Sequence, residues 1–424
     1  MSTMLIKNAR VVDFSTDVDD NLNILIENGK IKSISKDVLT ADKVIDASGL
    51  VAMPGLVDMH VHLRDPGQTE KEDIITGCNS ASAGGVTSLL AMPNTNPTID
   101  SVETVEYIIE KAKKATAKVY VSCAITKGLK SEELTDIKAL NKAGAIALTD
   151  DGRPVEDINY LVKALKLSDE LNMIITAHCE DLDLAKKGII NEGVVSEKLG
   201  VNGIPASAED IGTAREIFLA ELCNAPVHIC HVSTTTSVQL VRSAKARGVR
   251  VSAETAPHYI WFTEEQVATK DADFRMNPPL RTSKDRQAVI DGLLDGTLDA
   301  IATDHAPHTP VEKSNFLTSP NGSIGMETSF SAVYTALVKT GKMTLKQLIE
   351  KMSYNPAKIL NIPAGKLSVG ENADIILVNL DESYVVDVNK LHGKSKNCPF
   401  KGLELTGKVK TTILDGNIVY QDNN

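Results

Sequence analysis

The chain has 424 residues, 42% hydrophobic and 24% charged, with a formal net charge of −11. That balance suits a soluble globular protein and disfavours a binder of nucleic acid or of a membrane surface, since either calls for a basic face. No apolar run approaches the ~20 residues of a membrane span, the N-terminus lacks a basic-then-apolar leader, and the six cysteines show no CxxC spacing; a cytoplasmic protein with reduced core thiols is expected.

The first fifty-odd residues read as short strands and turns. "LIKNARVVD", "NILIENGKIKSIS" and "KVIDASGLVAMPG" set β-branched residues between Asn-Gly and Ser-Gly turn signals. The last sixty repeat the pattern in "GKLSVGENADIILVNL", "ESYVVDV" and "VKTTILDGNIVYQD". The two ends, residues 1–55 and 365–424, are expected to pair into one small β domain, a β-sandwich. Between them, residues 56–364 alternate short apolar strands with helical stretches such as "SVETVEYIIEKAKKA". Eight strand candidates stand out, at 56–63, 86–92, 118–125, 145–150, 173–178, 226–231, 249–254 and 298–304. Eight β–α units favour a closed parallel (β/α)₈ TIM barrel, an α/β fold, over an open sheet.

Five of the eight strands end in a histidine or an aspartate: His60 and His62, Asp150 or Asp151, His178, His231, and Asp304. In a (β/α)₈ barrel those ends meet at one rim, where active sites are built. Alternation puts His60 and His62 on one strand face. Imidazole and carboxylate together suit Zn²⁺, with Mn²⁺, Co²⁺ or Fe²⁺ open, and six ligands suit two ions that share a bridging carboxylate. Asp304, in "ATDHAPH", is placed to move a proton between water and a leaving nitrogen. Arg64 follows the histidine pair by one alternation and is expected in the same cavity, suited to bidentate pairing with a substrate carboxylate. Otherwise it would pair on the surface with Asp65 or Glu70. Asn94, Asn277 and His308 occupy further rim positions. His228, three before His231, is expected to face the opposite side. His258 is a candidate supporting residue, His392 lies in the C-terminal β region, and Cys179 and Cys230 are expected to point away from the site. No GxSxG elbow, P-loop or GxGxxG fingerprint is present.

Together, "DMHVHLRDPG", "MPNTNP", "LTDDG", "AHCED", "CHVST", "MNPPLR" and "IATDHAPH" resemble the dihydroorotases of the amidohydrolase superfamily, in their class I bacterial form, and the resemblance covers nearly the whole chain. It implies a (β/α)₈ barrel with two Zn²⁺ per subunit. His60, His62, Asp151 and Asp304 would hold one ion, and His178 and His231 the other, with Asp151 bridging. Many relatives bridge with a carbamylated lysine; "AGAIALTDDG" offers aspartates instead. The implied reaction is reversible hydrolysis of (S)-dihydroorotate to N-carbamoyl-L-aspartate in pyrimidine biosynthesis, with Asp304 as proton shuttle. Arg64, Asn94 and His308 would hold the substrate carboxylate, and Asn277 with Asn321 and Gly322 the ring. Asn321 departs from the pattern, which carries an aromatic or apolar residue there. The resemblance also implies a homodimer and admits aspartate transcarbamoylase as a partner. The rivals are an allantoinase or hydantoinase, which want the lysine and need no such arginine, and a catalytically silent scaffold, which tends to lose ligands.

Overall fold

The computed structural model describes residues 3–37 and 39–422. Five strands come first: β1 (Thr3–Val12), β2 (Asp19–Glu27), β3 (Lys30–Ser35), β4 (Lys43–Asp46) and β5 (Val51–Pro54). The middle of the chain supplies β6 (Leu56–Val61), β7 (Val86–Ala91), β8 (Lys118–Cys123), β9 (Ala145–Leu148) and β10 (Ile174–Ala177). A minor pair, β11 (Ile190–Asn191) and β12 (Gly203–Ile204), precedes β13 (Val227–Ile229), β14 (Val251–Thr255) and β15 (Ala300–Ile301). Last come β16 (Ile375–Val385), β17 (Glu404–Leu414) and β18 (Asn417–Gln421).

The two chain ends build one sheet, in the order β18-β17-β16-β5-β1-β2-β3, with β4 also on β1. Two of its hairpins turn on Asn28-Gly29 and Asp415-Gly416. All four residues have positive φ, between 46° and 78°, the backbone that a two-residue type I′ turn requires and that Asn-Gly and Asp-Gly adopt at least cost. The sheet meets apolar neighbours on both faces. Along β16, Ile375 and Leu377 join a core with Ile6, Ile24 and Ile413, while Ile376 and Val378 join the barrel core. Burial on both faces explains why the first four residues of this strand, Ile375 to Val378, are all apolar.

The other sheet is the barrel, in the order β15-β14-β13-β10-β9-β8-β7-β6, and every pairing in it is parallel. Closure falls beyond the last laddered residues: Val61 bridges His305 in parallel sense, and the His62 amide donates to the His305 carbonyl at 2.8 Å. All eight sequence candidates are strands, and all but β14, which runs one residue further to Thr255, stop sooner than predicted at their C-terminal ends. The first stops at Val61 and the last at Ile301. Of the candidate ligands, His60 lies within β6 and the other five lie just past the ladder, where the backbone is free to turn. On β6, Val57 and Met59 pack outward with Ala357 and Leu360, while Asp58 and His60 point inward. No described helix is long and apolar enough to cross a membrane.

Candidate metal centre and substrate pocket

Three of the predicted site residues sit at left-handed corners: Arg64 at φ 60°, His231 at 38° and Asp304 at 48°. Such a conformation costs a non-glycine residue about 1–3 kcal/mol, and it persists only where neighbours hold it. At Asp304 the hold is Asp58, whose carboxylate accepts the Thr303 amide at 3.0 Å and the Thr303 hydroxyl at 2.5 Å. At His231 it is β14, where the Glu254 carbonyl accepts the Val232 amide at 2.8 Å. Each corner swings a side chain over the barrel mouth.

Over that mouth the imidazoles and carboxylates converge. His60 Nε2 lies 3.2 Å from Asp151 Oδ1 and 3.6 Å from Asp304 Oδ1. His62 Nε2 lies 3.2 Å from Asp304 Oδ1 and 3.5 Å from Asp151 Oδ2. On the other side of Asp151, His178 Nδ1 and His231 Nε2 are 3.0 Å apart, and each is 3.9 Å from Asp151 Oδ1. Asp151 thus stands between two histidine pairs, and the triads His60–His62–Asp151 and Asp151–His178–His231 each have the compactness of a metal site.

The tautomers sharpen this. His62 Nδ1 donates to Asn94 Oδ1 at 2.8 Å, and His60 Nδ1 faces Glu254 Oε1 at 3.2 Å. With both Nδ1 protons so engaged, both Nε2 atoms turn lone pairs toward carboxylates, an arrangement that repels unless a cation lies between. His60 Nε2 and Asp151 Oδ1, both buried, form no hydrogen bond among the described residues. Burial opposes charge on His60, yet the Asp151 carboxylate beside it raises it well above the usual range, so the site favours a positive charge at Nε2, whether a proton or a metal ion. Burial opposes charge on Asp151 too, and His60 foremost among the facing imidazoles holds it well below the usual carboxylate range. The donor set, buried imidazole and carboxylate with orphaned lone pairs, fits a borderline dication.

Asp150 is turned away. Its carboxylate accepts the amides of Ile125 and Thr126 at 2.8 and 3.0 Å, and the Thr126 hydroxyl. Arg64, Asn94, Asn277, His308, Asn321 and Gly322 border one cavity of about 260 Å³, and His62, Asp151, His178, His231 and Asp304 line the same space. His60 lies beneath them, fully buried. Arg64 does not pair with Asp65, which takes Lys111 at 2.5 Å and the Tyr107 hydroxyl at 2.9 Å. Its guanidinium donates to the Pro307 carbonyl at 3.2 Å and lies 3.4 Å from His308 Nε2. Both neighbours are uncharged, since burial and then Arg64 itself pull the His308 imidazole down to about 3. Asn321 turns its side chain away to accept from Arg275 at 3.2 Å and offers its backbone carbonyl to His308 at 2.9 Å. Asn277 donates to Glu180, which in turn lies 3.5 Å from His178 Nε2. Gly322, at φ 134°, comes so close that an added Cβ would meet Ala306 Cβ at 2.7 Å and His308 Nε2 at 3.1 Å.

Two expectations from alternation fail. His228 faces inward, with Nε2 at 3.3 Å from Glu254 Oε2. Cys230 also faces inward, clustered with His60 and Glu254. Alternation does run from His228 to Cys230; the left-handed corner at His231 is what breaks it. Burial pushes the Cys230 thiol up to about 12. His258 and His305 are buried and held neutral, chiefly by burial, at about 4 and about 3. His392 pairs with Glu327 far from the mouth, at 2.8 Å. Sequence reasoning missed Asp58, Glu254 and Glu180. Asp58 and Glu254 had one available signal, an acidic residue inside an apolar strand.

The model of the amidohydrolase family matches residues 51–419. The dihydroorotase of Acetivibrio thermocellus is 49% identical over 422 residues, 99% of each chain. That of Citrifermentans bemidjiense is 47% identical over 422 residues, again 99% of each. Among solved structures, the L-hydantoinase (dihydropyrimidinase) of Arthrobacter aurescens superposes with a TM-score of 0.90 at 24% identity, covering 100% of this chain and 97% of that one. The dihydropyrimidinase of Brevibacillus agri gives 0.88 at 25% identity, covering 100% and 96%. The structural likeness speaks for the barrel and its flanking sheet, while the sequence likeness runs from end to end. On both grounds the chain belongs to the amidohydrolase family, in its dihydroorotase branch.

Proposed function

We propose that the protein is a zinc-dependent dihydroorotase, catalysing reversible hydrolysis of (S)-dihydroorotate to N-carbamoyl-L-aspartate in pyrimidine biosynthesis. The observation that carries this reading is Arg64: a buried guanidinium with uncharged neighbours, facing a cavity that also holds the imidazole–carboxylate cluster. Such a group calls for an anion, and a ring amide bearing a carboxylate supplies one. Hydantoin and allantoin carry no carboxylate for it.

His60, His62, Asp151 and Asp304 would hold one Zn²⁺ and His178 with His231 a second, Asp151 serving both. Bound there, the metal pair supplies Lewis acidity toward the ring carbonyl and lowers the pKa of water. Arg64 binds the substrate carboxylate through its fork, with Asn94 and His308 beside it. Asn277 and the backbone at Asn321 and Gly322 orient the ring. Asp304 takes the proton of the attacking water and returns it to the departing ring nitrogen, so that in the reverse direction it deprotonates the attacking nitrogen. All six ligand candidates converge, which favours an active enzyme over a silent scaffold. The reading includes a cytoplasmic homodimer and treats segments 1–55 and 365–424 as one unit beside the 56–364 barrel, as the resemblance implies. Association with an aspartate transcarbamoylase would be additional to catalysis.

The test is ring opening of L-dihydroorotate by Zn²⁺-loaded protein, with hydantoin, allantoin and dihydrouracil alongside, before and after chelation. Chelator-sensitive turnover of dihydroorotate alone is the expected result. Turnover of a neutral ring instead would overturn the role given to Arg64, and turnover unaffected by complete metal removal would overturn the metal centre.

A further inference from the structure

We infer that Glu254 and His228 are positioning residues for the metal centre: they form a buried carboxylate–imidazole support beneath His60 that fixes its tautomer and strengthens it as a ligand. The inference rests on the metal-dependent reading above.

Glu254 is 1% exposed, and His60 and His228 are fully buried. Each carboxylate oxygen of Glu254 meets one imidazole: Oε1 is hydrogen-bonded to His60 Nδ1 at 3.2 Å, and Oε2 lies 3.3 Å from His228 Nε2, a charge contact without hydrogen-bond geometry. His228 Nδ1 lies 2.8 Å from the Ser252 hydroxyl, so that hydroxyl can donate to Nδ1 and leave the Nε2 proton facing Glu254. The run Ser252, His228, Glu254, His60 thus ends at His60 Nε2, the atom aimed at Asp151 and Asp304. Sheet register sets it. His228 and Ser252 are laddered partners on β13 and β14, and Glu254 follows Ser252 by two residues on the same face. An imidazole that donates to a carboxylate is held in one orientation and becomes a more basic ligand through its other nitrogen. Neither partner of Glu254 is a lysine or arginine, so a dication at His60 is the natural complement to this buried charge.

The two histidines of "HVH" are therefore unequally supported. His60 rests on a carboxylate, whereas His62 rests on the neutral amide of Asn94, at 2.8 Å. Loss of Glu254 should weaken metal binding more than loss of Asn94.

The experiment uses the full chain, stripped of metal and titrated with Co²⁺ against a chromophoric chelator, while the visible Co²⁺ bands are recorded. Glu254→Gln is expected to weaken one Co²⁺ site by about 10–100-fold, to shift its bands, and to leave KM for dihydroorotate at saturating metal within about twofold of wild type. His228→Gln should shift the bands in the same direction with a smaller loss of affinity. Wild-type Co²⁺ affinity and spectrum in Glu254→Gln, with only a lower melting temperature, would reduce the residue to a tie between strands and overturn the inference. If Glu254→Gln does not fold, His228→Gln and Ser252→Ala decide: a wild-type Co²⁺ spectrum in both overturns it. Failure of the wild-type protein to bind Co²⁺ would instead strike the metal-dependent reading, and this inference with it.

Discussion

Replacing Arg64 tests the link between the geometry and the substrate. The residue is 8% exposed, and its close polar neighbours are the Pro307 carbonyl, which accepts from it, and the neutral His308 imidazole, so its charge is available to a bound anion. Two charge-assisted hydrogen bonds to a carboxylate contribute about 1.5–3 kcal/mol each. Arg64→Ala should therefore cost roughly 3–6 kcal/mol in kcat/KM for dihydroorotate, about two to four orders of magnitude. Arg64→Lys keeps the charge and loses the fork, so a fall of about 10–100-fold is expected. The assay compares kcat/KM for dihydroorotate with the inhibition constant of dihydrouracil, which has the ring without the carboxylate. The dihydrouracil constant should move by less than about threefold, on the view that uniform losses mark general damage. The melting temperature should fall by no more than about 4 °C, since Arg64→Ala removes one weak hydrogen bond to Pro307. Parallel losses on both ligands, or no loss on either, would refute the assignment.

Asp304→Asn should lower kcat by about 10²–10⁴-fold while the affinity for dihydroorotate is largely kept, with metal content measured alongside; a near-normal kcat would require another proton carrier. Gly322→Ala would push a Cβ to 2.7 Å from Ala306 Cβ and 3.1 Å from His308 Nε2. A stability cost of about 1–3 kcal/mol and a raised KM are expected, and an unchanged KM would show that Gly322 does not set the position of His308. Lys313 donates to the carbonyls of Ala272, Arg275 and Pro320 at 2.9, 3.2 and 3.0 Å, and burial pulls it down to about 8 from 10.5. Between those two values the unfolded chain binds the proton and the folded chain does not, so stability should rise with pH across that window, by at most about 3 kcal/mol. Urea unfolding of Lys313→Met near both ends of the window should show this rise removed; a wild-type slope would contradict the placement of Lys313.

Much of this molecule was legible in one chain of residues. The eight apolar runs, the acidic or histidine ends of five of them and the Asn-Gly hairpin are local signals. The physics behind them, strand alternation and left-handed turns, acts within a few residues. Even so, the reason given for Arg64 was incomplete. Alternation placed it in the cavity, but the strand ends at Val61, and a left-handed corner at φ 60° delivers the side chain.

What the local pattern could not decide was anything set by register between strands far apart in sequence. Asp150 and Asp151 are adjacent and chemically alike. Only the approach of Ile125 and Thr126 from the neighbouring strand end takes up Asp150 and leaves Asp151 for the imidazoles. His228 read as facing away because alternation was counted through His231, where the corner at φ 38° ends it. Beyond lying inside apolar strands, Glu254 and Asp58 carry no local mark of a role; barrel closure sets one against His60 and the other against Thr303. The sequence by itself determined which residue types reach the rim, because strand ends are written locally. Which of them meet, and what stands beneath them, was decided by the tertiary structure, because a closed parallel sheet brings together residues separated by up to 245 positions.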